Sequence, residues 1–272
     1  MLRVATWNVW GRFGPWERRF DAVVASLAAL EADVVCLQEV WFGRDGSHQA
    51  PLLADALGWP TWAAAPIELG SLPIDVGVTN AVLSRWPLVA EHADMLPGPG
   101  GRTSLRSVVH ARLAHPAAEL DVFTTHLDHR PDASATRQAQ ARTVAEFVAE
   151  HRAEPTTSFP PVLTGDLNAV PTADEVRLLT GEMAVPVPGL AFMDAWAHGG
   201  DGGPGITWAR DNPWLVRARA PQRRLDYVLV GWPYQRGQGQ VLSCRVAATE
   251  PVDGVQPSDH YAVVADLRTN GD

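Results

Sequence analysis

The stretch Pro161-Val-Leu-Thr-Gly-Asp-Leu-Asn-Ala-Val-Pro171 decides how the rest of the chain is read. Pro161 to Leu163 read as the end of a short buried strand, with a turn opening at Thr164-Gly165. Asp166 and Asn168 then fall where a strand gives way to a loop. Groups placed there are held by a rigid sheet yet reach solvent, the usual location for chemistry in an α/β fold. If strand geometry persists, two residues this far apart project from one face. The carboxylate can take or give a proton, and the amide can donate to a developing negative charge. Taken alone, Gly-Asp-x-Asn reads equally as a turn capping the next helix.

The other strand ends break that tie. Leu2 to Asn8 alternates and stops at Asn8, and the apolar set Phe20, Val23, Val24, Leu27, Leu30 after Pro15 recurs at helical spacing. Asp33 to Glu39 is the next strand, so Asn8 and Glu39 are expected at the same sheet edge, joined by a right-handed crossover. Further strands are expected at Asn80–Ser84, Pro87–Ala93, Leu105–Leu113 and Leu120–Thr125, the last running into His126. Helices are expected at His48–Leu57, Ala133–His151 and Ala173–Leu179. Beyond Asp166 the pattern predicts mostly loop from Gly181 to Gly205, with a short strand or turn at Phe192 to Asp194. It then predicts strands at Ile206–Trp208, Leu225–Val230 (with Asp226 near its start), Val241–Ala247 and Tyr261–Leu267, the last preceded by Ser258-Asp-His260.

Asn8, Glu39, His126, Asp166, Asn168, Asp226, Asp259 and His260 thus gather at strand ends. Carboxylates left unpaired in a core are costly, so the cluster is poorly explained as structure. It suits a hard, oxygen-preferring cation such as Mg²⁺ or Mn²⁺. Such a cation beside a His–Asp pair can offset charge on phosphate oxygens while the pair activates water.

The ordered set Thr6-Trp-Asn8, Leu37-Gln-Glu39, Thr125-His-Leu127, Gly165-Asp-Leu-Asn168, Arg224-Leu-Asp-Tyr227 and Ser258-Asp-His260 resembles the endonuclease/exonuclease/phosphatase superfamily, from near residue 2 to near residue 267. The resemblance implies an α/β four-layer sandwich of two face-to-face mixed sheets flanked by helices. It implies Glu39 as a principal metal ligand, with Asn8 and Asp259 at or near the metal. His260 would be the general base or phosphate-stabilising group held by Asp226, Asp166 would position or deprotonate water, and Asn168 would donate to the phosphoryl oxygen. His126 matches a second histidine that stabilises the transition state or protonates the leaving group. Thr207-Trp208 and Asn212-Pro-Trp214 resemble a substrate-side loop.

Arg102, Arg106 and Arg224 are candidate contacts for substrate, with a surface acid the alternative partner for Arg106, while Asp128, His129 and Arg130 read as a solvated rim. The expected reaction is hydrolysis of a phosphodiester. With 22 basic against 31 acidic residues, net charge −9 and no Lys/Arg run, a small or lipid-linked substrate is favoured over nucleic acid. A nuclease is the alternative, and a silent binder of a phosphorylated ligand or protein a remoter one. Trp59 to Trp62 and Trp232 to Tyr234 are the candidate apolar hairpins for lipid contact.

Two cysteines, Cys36 and Cys244, exclude a disulfide framework, and the N-terminus enters a strand with no secretory h-region. The expectations are a cytoplasmic monomer forming one domain over residues 1–270, with no transmembrane segment.

Overall fold

The computed structural model describes residues 1–67, 69–70, 74–153, 158–215, 221–232 and 237–269. Two six-stranded mixed sheets pack face to face with helices outside. The first contains β1 (Leu2–Asn8), β2 (Val34–Gly43), β3 (Thr61–Ala64), β4 (Val76–Ser84), β11 (Val241–Ala247) and β12 (Ala262–Leu267), in the order β11-β12-β1-β2-β4-β3. The second contains β5 (Leu88–Pro97), β6 (Thr103–Leu113), β7 (Leu120–His126), β8 (Val162–Asp166), β9 (Phe192–Asp194) and β10 (Asp226–Gly231), in the order β5-β6-β7-β8-β10-β9.

The central strands are apolar on both faces because each is covered twice. Val4, Val34, Val82, Val122, Val162, Val228 and Val263 fill the space between the sheets. On the outer face of the first sheet, α1 (Trp16–Ala29) and α2 (Gln49–Leu57) lay down Val23, Leu27 and Leu53 against Trp7, Leu37 and Leu83. On the second, α3 (Ser134–His151) and α4 (Asp174–Thr180) place Val144, Phe147, Val148 and Val176 against Phe123, Leu163 and Leu229. Burying each such side chain contributes about 1.5–3 kcal/mol, against an ordering cost of about 0.5–1 kcal/mol for Ile or Leu. Polar bridges fix how the sheets face each other. Gln38 Nε2 donates to Thr6 Oγ1 at 3.0 Å in its own sheet and to Thr124 Oγ1 at 2.9 Å across the gap. Asn80 Nδ2 donates to Ser107 O at 2.8 Å.

Helices α1 to α4 and most strands fall where the periodicity puts them, and β1 and β2 are parallel neighbours as the crossover requires. Four expectations are corrected. The strand at Pro161 does not turn at Thr164-Gly165; β8 runs through to Asp166, paired with β7 and β10 on either side. The strand carrying Glu39 does not end there but continues to Gly43. Ile206 to Trp208 forms only an isolated bridge between Trp208 and Arg223. Trp59 to Trp62 is no free hairpin, because Trp59 is buried and Thr61 opens β3, which pairs with β4. The short helix α5 (Ala195–Gly199) was not expected. Of the other aromatic hairpin, Trp232 is exposed, and Pro233 and Tyr234 lie outside the described residues. Among the described residues no helix is long and apolar enough to cross a membrane.

Candidate active site

Strand register builds half of the site. On three adjacent strands His126 of β7 lies opposite Asp166 of β8, which lies opposite Asp226 of β10. This alignment depends on Gly165, whose φ is +146° and where a Cβ would sit 2.0 Å from Thr125 O. Only glycine lets β8 approach β7 so closely. Past Asp166 the chain turns sharply. Asn168 takes φ +50°, and its N–H donates to Asp166 Oδ1 at 2.9 Å. That Asx turn swings the Asn168 amide towards His126 Nε2, 3.0 Å away.

The other half comes from the first sheet. Between Leu37 and Val40 the register of β2 against β4 shifts, leaving Gln38 and Glu39 opposite Asn80. Glu39 sits in this bulge at φ +56°, a conformation unusual for a residue with a side chain. Such bulges re-aim side chains next to functional sites. The Ser258-Asp-His turn is tied to β1 because Ser258 Oγ donates to Asn8 O at 2.6 Å and accepts from His260 N at 3.2 Å. Trp7 Nε1 donates to His260 O at 2.9 Å.

His260 and Asp226 meet at 2.9 Å between Nδ1 and Oδ2, and His260 Nε2 lies 3.7 Å from Asp166 Oδ2. Burial alone would strip the imidazole of its proton, but Asp226, Asp166 and Asp259 together hold it well above the ordinary histidine value. His126 goes the other way. Burial first, then Arg106 and His260, push it well below, which favours the neutral ring even with Asp166 Oδ2 3.4 Å from its Nε2. Its Nδ1 faces Arg106 Nη1 at 2.7 Å. Asp166 is raised by burial and by Asp226, against the opposing pull of His260 and the Asn8 amide, which donates to it at 3.1 Å.

Glu39 and Asp259 face a cavity of about 570 Å³ that is also lined by Trp10, Phe13, Arg106 and His129. Burial raises both, most visibly Asp259, to about 6, and the Glu39 charge adds to the rise at Asp259. Two carboxylates on one cavity wall, both hard oxygen donors whose negative charge burial opposes, fit a divalent cation. Asp166, Asp226 and His260 also bring three ligand atoms within 4.8 Å of one another. That triple suits a cation less well, because His260 spends Nδ1 on Asp226 and favours its own proton. Asn8 spends its amide oxygen on the Trp10 N–H at 3.0 Å.

Arg106 is half-buried at the cavity, with its second nitrogen facing His129 Nδ1 at 3.2 Å. Arg102 is exposed. His129, which also lines the cavity, and Arg130 are exposed as a solvated rim would be, whereas Asp128 is buried at the cavity wall. Asp128 is pinned by Arg130, and its N–H donates to Gln140 Oε1 at 2.8 Å. Three residues expected at the substrate make contacts within the protein. Arg224 turns to Asp194, with Nη2 2.7 Å from Oδ2 and Nη1 2.9 Å from Oδ1. Asn212 is fully buried, donating to Ser258 O at 2.9 Å and accepting from Trp214 N at 3.1 Å. Trp208 packs under Arg223. The organic wall of the cavity is instead Trp10, Phe13, Val78 and Leu105, with Trp214 behind Trp10 at 5.3 Å between ring centroids. Sequence reading missed these because nothing in Trp10-Gly-Arg-Phe13 separates a cavity wall from a packed loop.

Two mixed sheets with a buried carboxylate, histidine and amide cluster at one end of their interface define a phosphoesterase-like α/β sandwich. The chain belongs to the Endonuclease/Exonuclease/phosphatase family, whose sequence profile matches residues 5–260. It is 29% identical over 210 residues to a Drosophila melanogaster protein named as a neutral sphingomyelinase, covering 67% of this chain and 43% of that protein, so it spans less than half of that relative. Its fold superposes on truncated TDP2 of Caenorhabditis elegans with TM-score 0.72 at 21% identity, covering 98% and 96% of the two chains. It superposes equally on the mannosyl-6-phosphatase Bt3783 of Bacteroides thetaiotaomicron, with TM-score 0.72 at 19% identity, covering 98% and 100%.

Proposed function

We propose that the protein is a divalent-metal-dependent phosphoesterase that hydrolyses a phosphodiester by in-line attack of water. The observation that carries this reading is that two carboxylates, Glu39 and Asp259, share one cavity with the Arg106 guanidinium, and His260, whose charge Asp226 favours, lies close enough to act on both carboxylates. Glu39 and Asp259 would hold the cation, and Asn8 would order the carboxylates beside it. When bound, the metal supplies positive charge against the phosphate oxygens.

The chain's own groups account for the rest. Asp166, raised by burial, is suited to accept a proton from the attacking water. His260, kept charged by Asp226, stabilises the negative charge that grows on the phosphoryl group. Asn168 and Arg106 add N–H donors. The charged His260 has the proton that the leaving oxygen needs, while His126, whose extra proton is disfavoured, is suited to a hydrogen bond there and not to proton transfer.

A small or lipid-linked diester is the favoured substrate. Phe13 and Leu105 stand at the cavity about half exposed, 49% and 50%, an apolar lip beside the phosphate site. The same aromatic wall could stack a nucleobase, so the test carries a nucleic-acid arm. Hydrolysis of bis(p-nitrophenyl) phosphate, p-nitrophenyl phosphate, sphingomyelin vesicles and plasmid DNA is compared with Mg²⁺, Mn²⁺ or EDTA, for wild type and His260→Ala. Metal-dependent diester turnover lost in the variant supports the reading. Preference for the monoester or for plasmid overturns the substrate class, and turnover that survives EDTA overturns the metal.

A further inference from the structure

Arg19, on the first turn of α1, is almost completely buried, yet the described residues offer it no carboxylate ion pair. Its guanidinium is spent on backbone carbonyls instead. Nη1 donates to Val9 O at 3.1 Å and Pro257 O at 2.7 Å, and Nη2 reaches Trp10 O, Gly11 O and Phe13 O, each at 2.8 Å. The guanidinium carbon also lies over the Trp10 ring, 4.6 Å from its centroid.

These carbonyls belong to two segments far apart in sequence. Val9 to Phe13 leave β1 just after Asn8, and this loop abuts the bulge of β2, since a Cβ at Gly11 would lie 2.9 Å from Glu39 O. Pro257 immediately precedes Ser258-Asp259-His260. Trp10 and Gly11 adopt positive φ, +56° and +30°, which glycine takes freely but which for Trp10 has a cost that the surrounding bonds must hold. A single planar fork is therefore bonded at once to the loop resting on Glu39 and to the segment presenting Asp259. A guanidinium can do this because it offers donors in several directions from one rigid plane, which an ammonium does not.

We propose that Arg19 is a positioning residue that fixes Asp259 relative to Glu39 by gathering the carbonyls of both loops into one guanidinium. The inference rests on the proposed reading of Glu39 and Asp259 as the cation-holding pair. Asp259 and Glu39 are also the charges that act on Arg19, so the clamp lies close enough to balance them when no cation is present.

The test compares wild type, Arg19→Lys, Arg19→Gln and, as a control from the exposed side of the same helix turn, Arg18→Gln. Mn²⁺ binding is read from the free-ion electron paramagnetic resonance signal, backbone exchange by hydrogen–deuterium mass spectrometry without metal, and turnover on bis(p-nitrophenyl) phosphate. Both Arg19 variants should bind Mn²⁺ about tenfold or more weakly, with kcat falling by a similar factor and KM moving less than about threefold. Peptides covering residues 9–15 and 253–260 should exchange faster together, while those of β7 and β8 stay at the wild-type rate and Arg18→Gln changes nothing.

The proposal is overturned if Mn²⁺ affinity and the exchange of residues 253–260 match wild type in both variants, or if only residues 9–15 loosen. General acceleration across β7 and β8 would also overturn it, as the mark of a fold-wide role. Wild-type protein that binds Mn²⁺ but turns over no phosphoester would sink the proposed function alone, because the binding and exchange arms still judge the clamp.

Discussion

His260 presents Nδ1 to Asp226 at 2.9 Å and Nε2 towards Asp166 at 3.7 Å, so one imidazole is held between carboxylates from two adjacent strands. Among the described residues Asp226 Oδ1 is buried without a hydrogen-bond partner, and the carboxylate meets the histidine through its other oxygen. Replacing Asp226 by Asn keeps the shape and removes the charge. Turnover should fall by about 10²–10⁴. A cation is the form required of His260 and Asp226 raises its pKa, so the alkaline limb of the pH–rate profile should move to lower pH in the variant. An alkaline limb that stays in place would show that Asp226 does not set the charge of His260.

Asp259 titrates near 6 without a cation because burial and Glu39 oppose its charge. A metal must displace that proton. Apparent Mn²⁺ affinity should therefore be steady above pH 7 and fall by up to about tenfold per unit below about 6. Asp259→Asn should bind more weakly at neutral pH and lose much of this dependence. Calorimetric titrations at several pH values measure both.

Gly165→Ala puts a methyl group 2.0 Å from Thr125 O in a backbone region that alanine avoids. The strands must part or the residue must flip. The expected cost is about 3 kcal/mol or more, seen as a lower denaturant midpoint, with activity lost because His126 and Asp166 no longer align. A variant as stable as wild type would mean that β7 and β8 do not pair in this register.

Arg224→Ala separates a structural role from a substrate contact. Asp194 caps α5 and pairs with Arg224, both largely buried, so removing the guanidinium strands a buried carboxylate. Stability should drop by about 3–5 kcal/mol, while KM of whatever remains folded stays near the wild-type value. A raised KM with unchanged stability would restore the substrate role.

Far from the site, Asp121 accepts from His110 Nε2 at 2.8 Å, Arg112 Nε at 2.7 Å and Ala153 N at 2.6 Å. Burial resists its charge, but these bonds prevail and hold it below the ordinary Asp value of 3.8. The unfolded chain therefore binds this proton first. The stabilisation is complete above about pH 4 and disappears as pH falls through the lower folded value. Asp121→Asn should cost about 1–3 kcal/mol at pH 7 and flatten the acid limb of the stability curve. Urea unfolding between pH 2 and 7 checks it.

Helix periodicity at Trp16–Ala29 and Ser134–His151 and the apolar strands are legible in the sequence because those patterns are local. So is the gathering of polar residues at strand ends, since a charge inside an apolar run is costly unless it has chemistry or a partner to serve. Glu39 reads as a strand end, and wrongly, because Val40-Trp-Phe42 continues a pattern that a bulge does not interrupt in sequence. The pairing of Arg224 is not legible locally because its partner Asp194 is 30 residues away, nor is that of Asn212, whose acceptor on Ser258 is 46 away.

The sequence by itself determined which residues carry charge and proton chemistry and which segments must be buried, because side-chain identity and hydrophobic period are properties of the chain. Tertiary structure alone decided which of those groups face one another. The opposite pKa shifts of His126 and His260 depend on it, because both rings are buried but one has a guanidinium against it and the other is held by several carboxylates, across a strand register that no local pattern encodes.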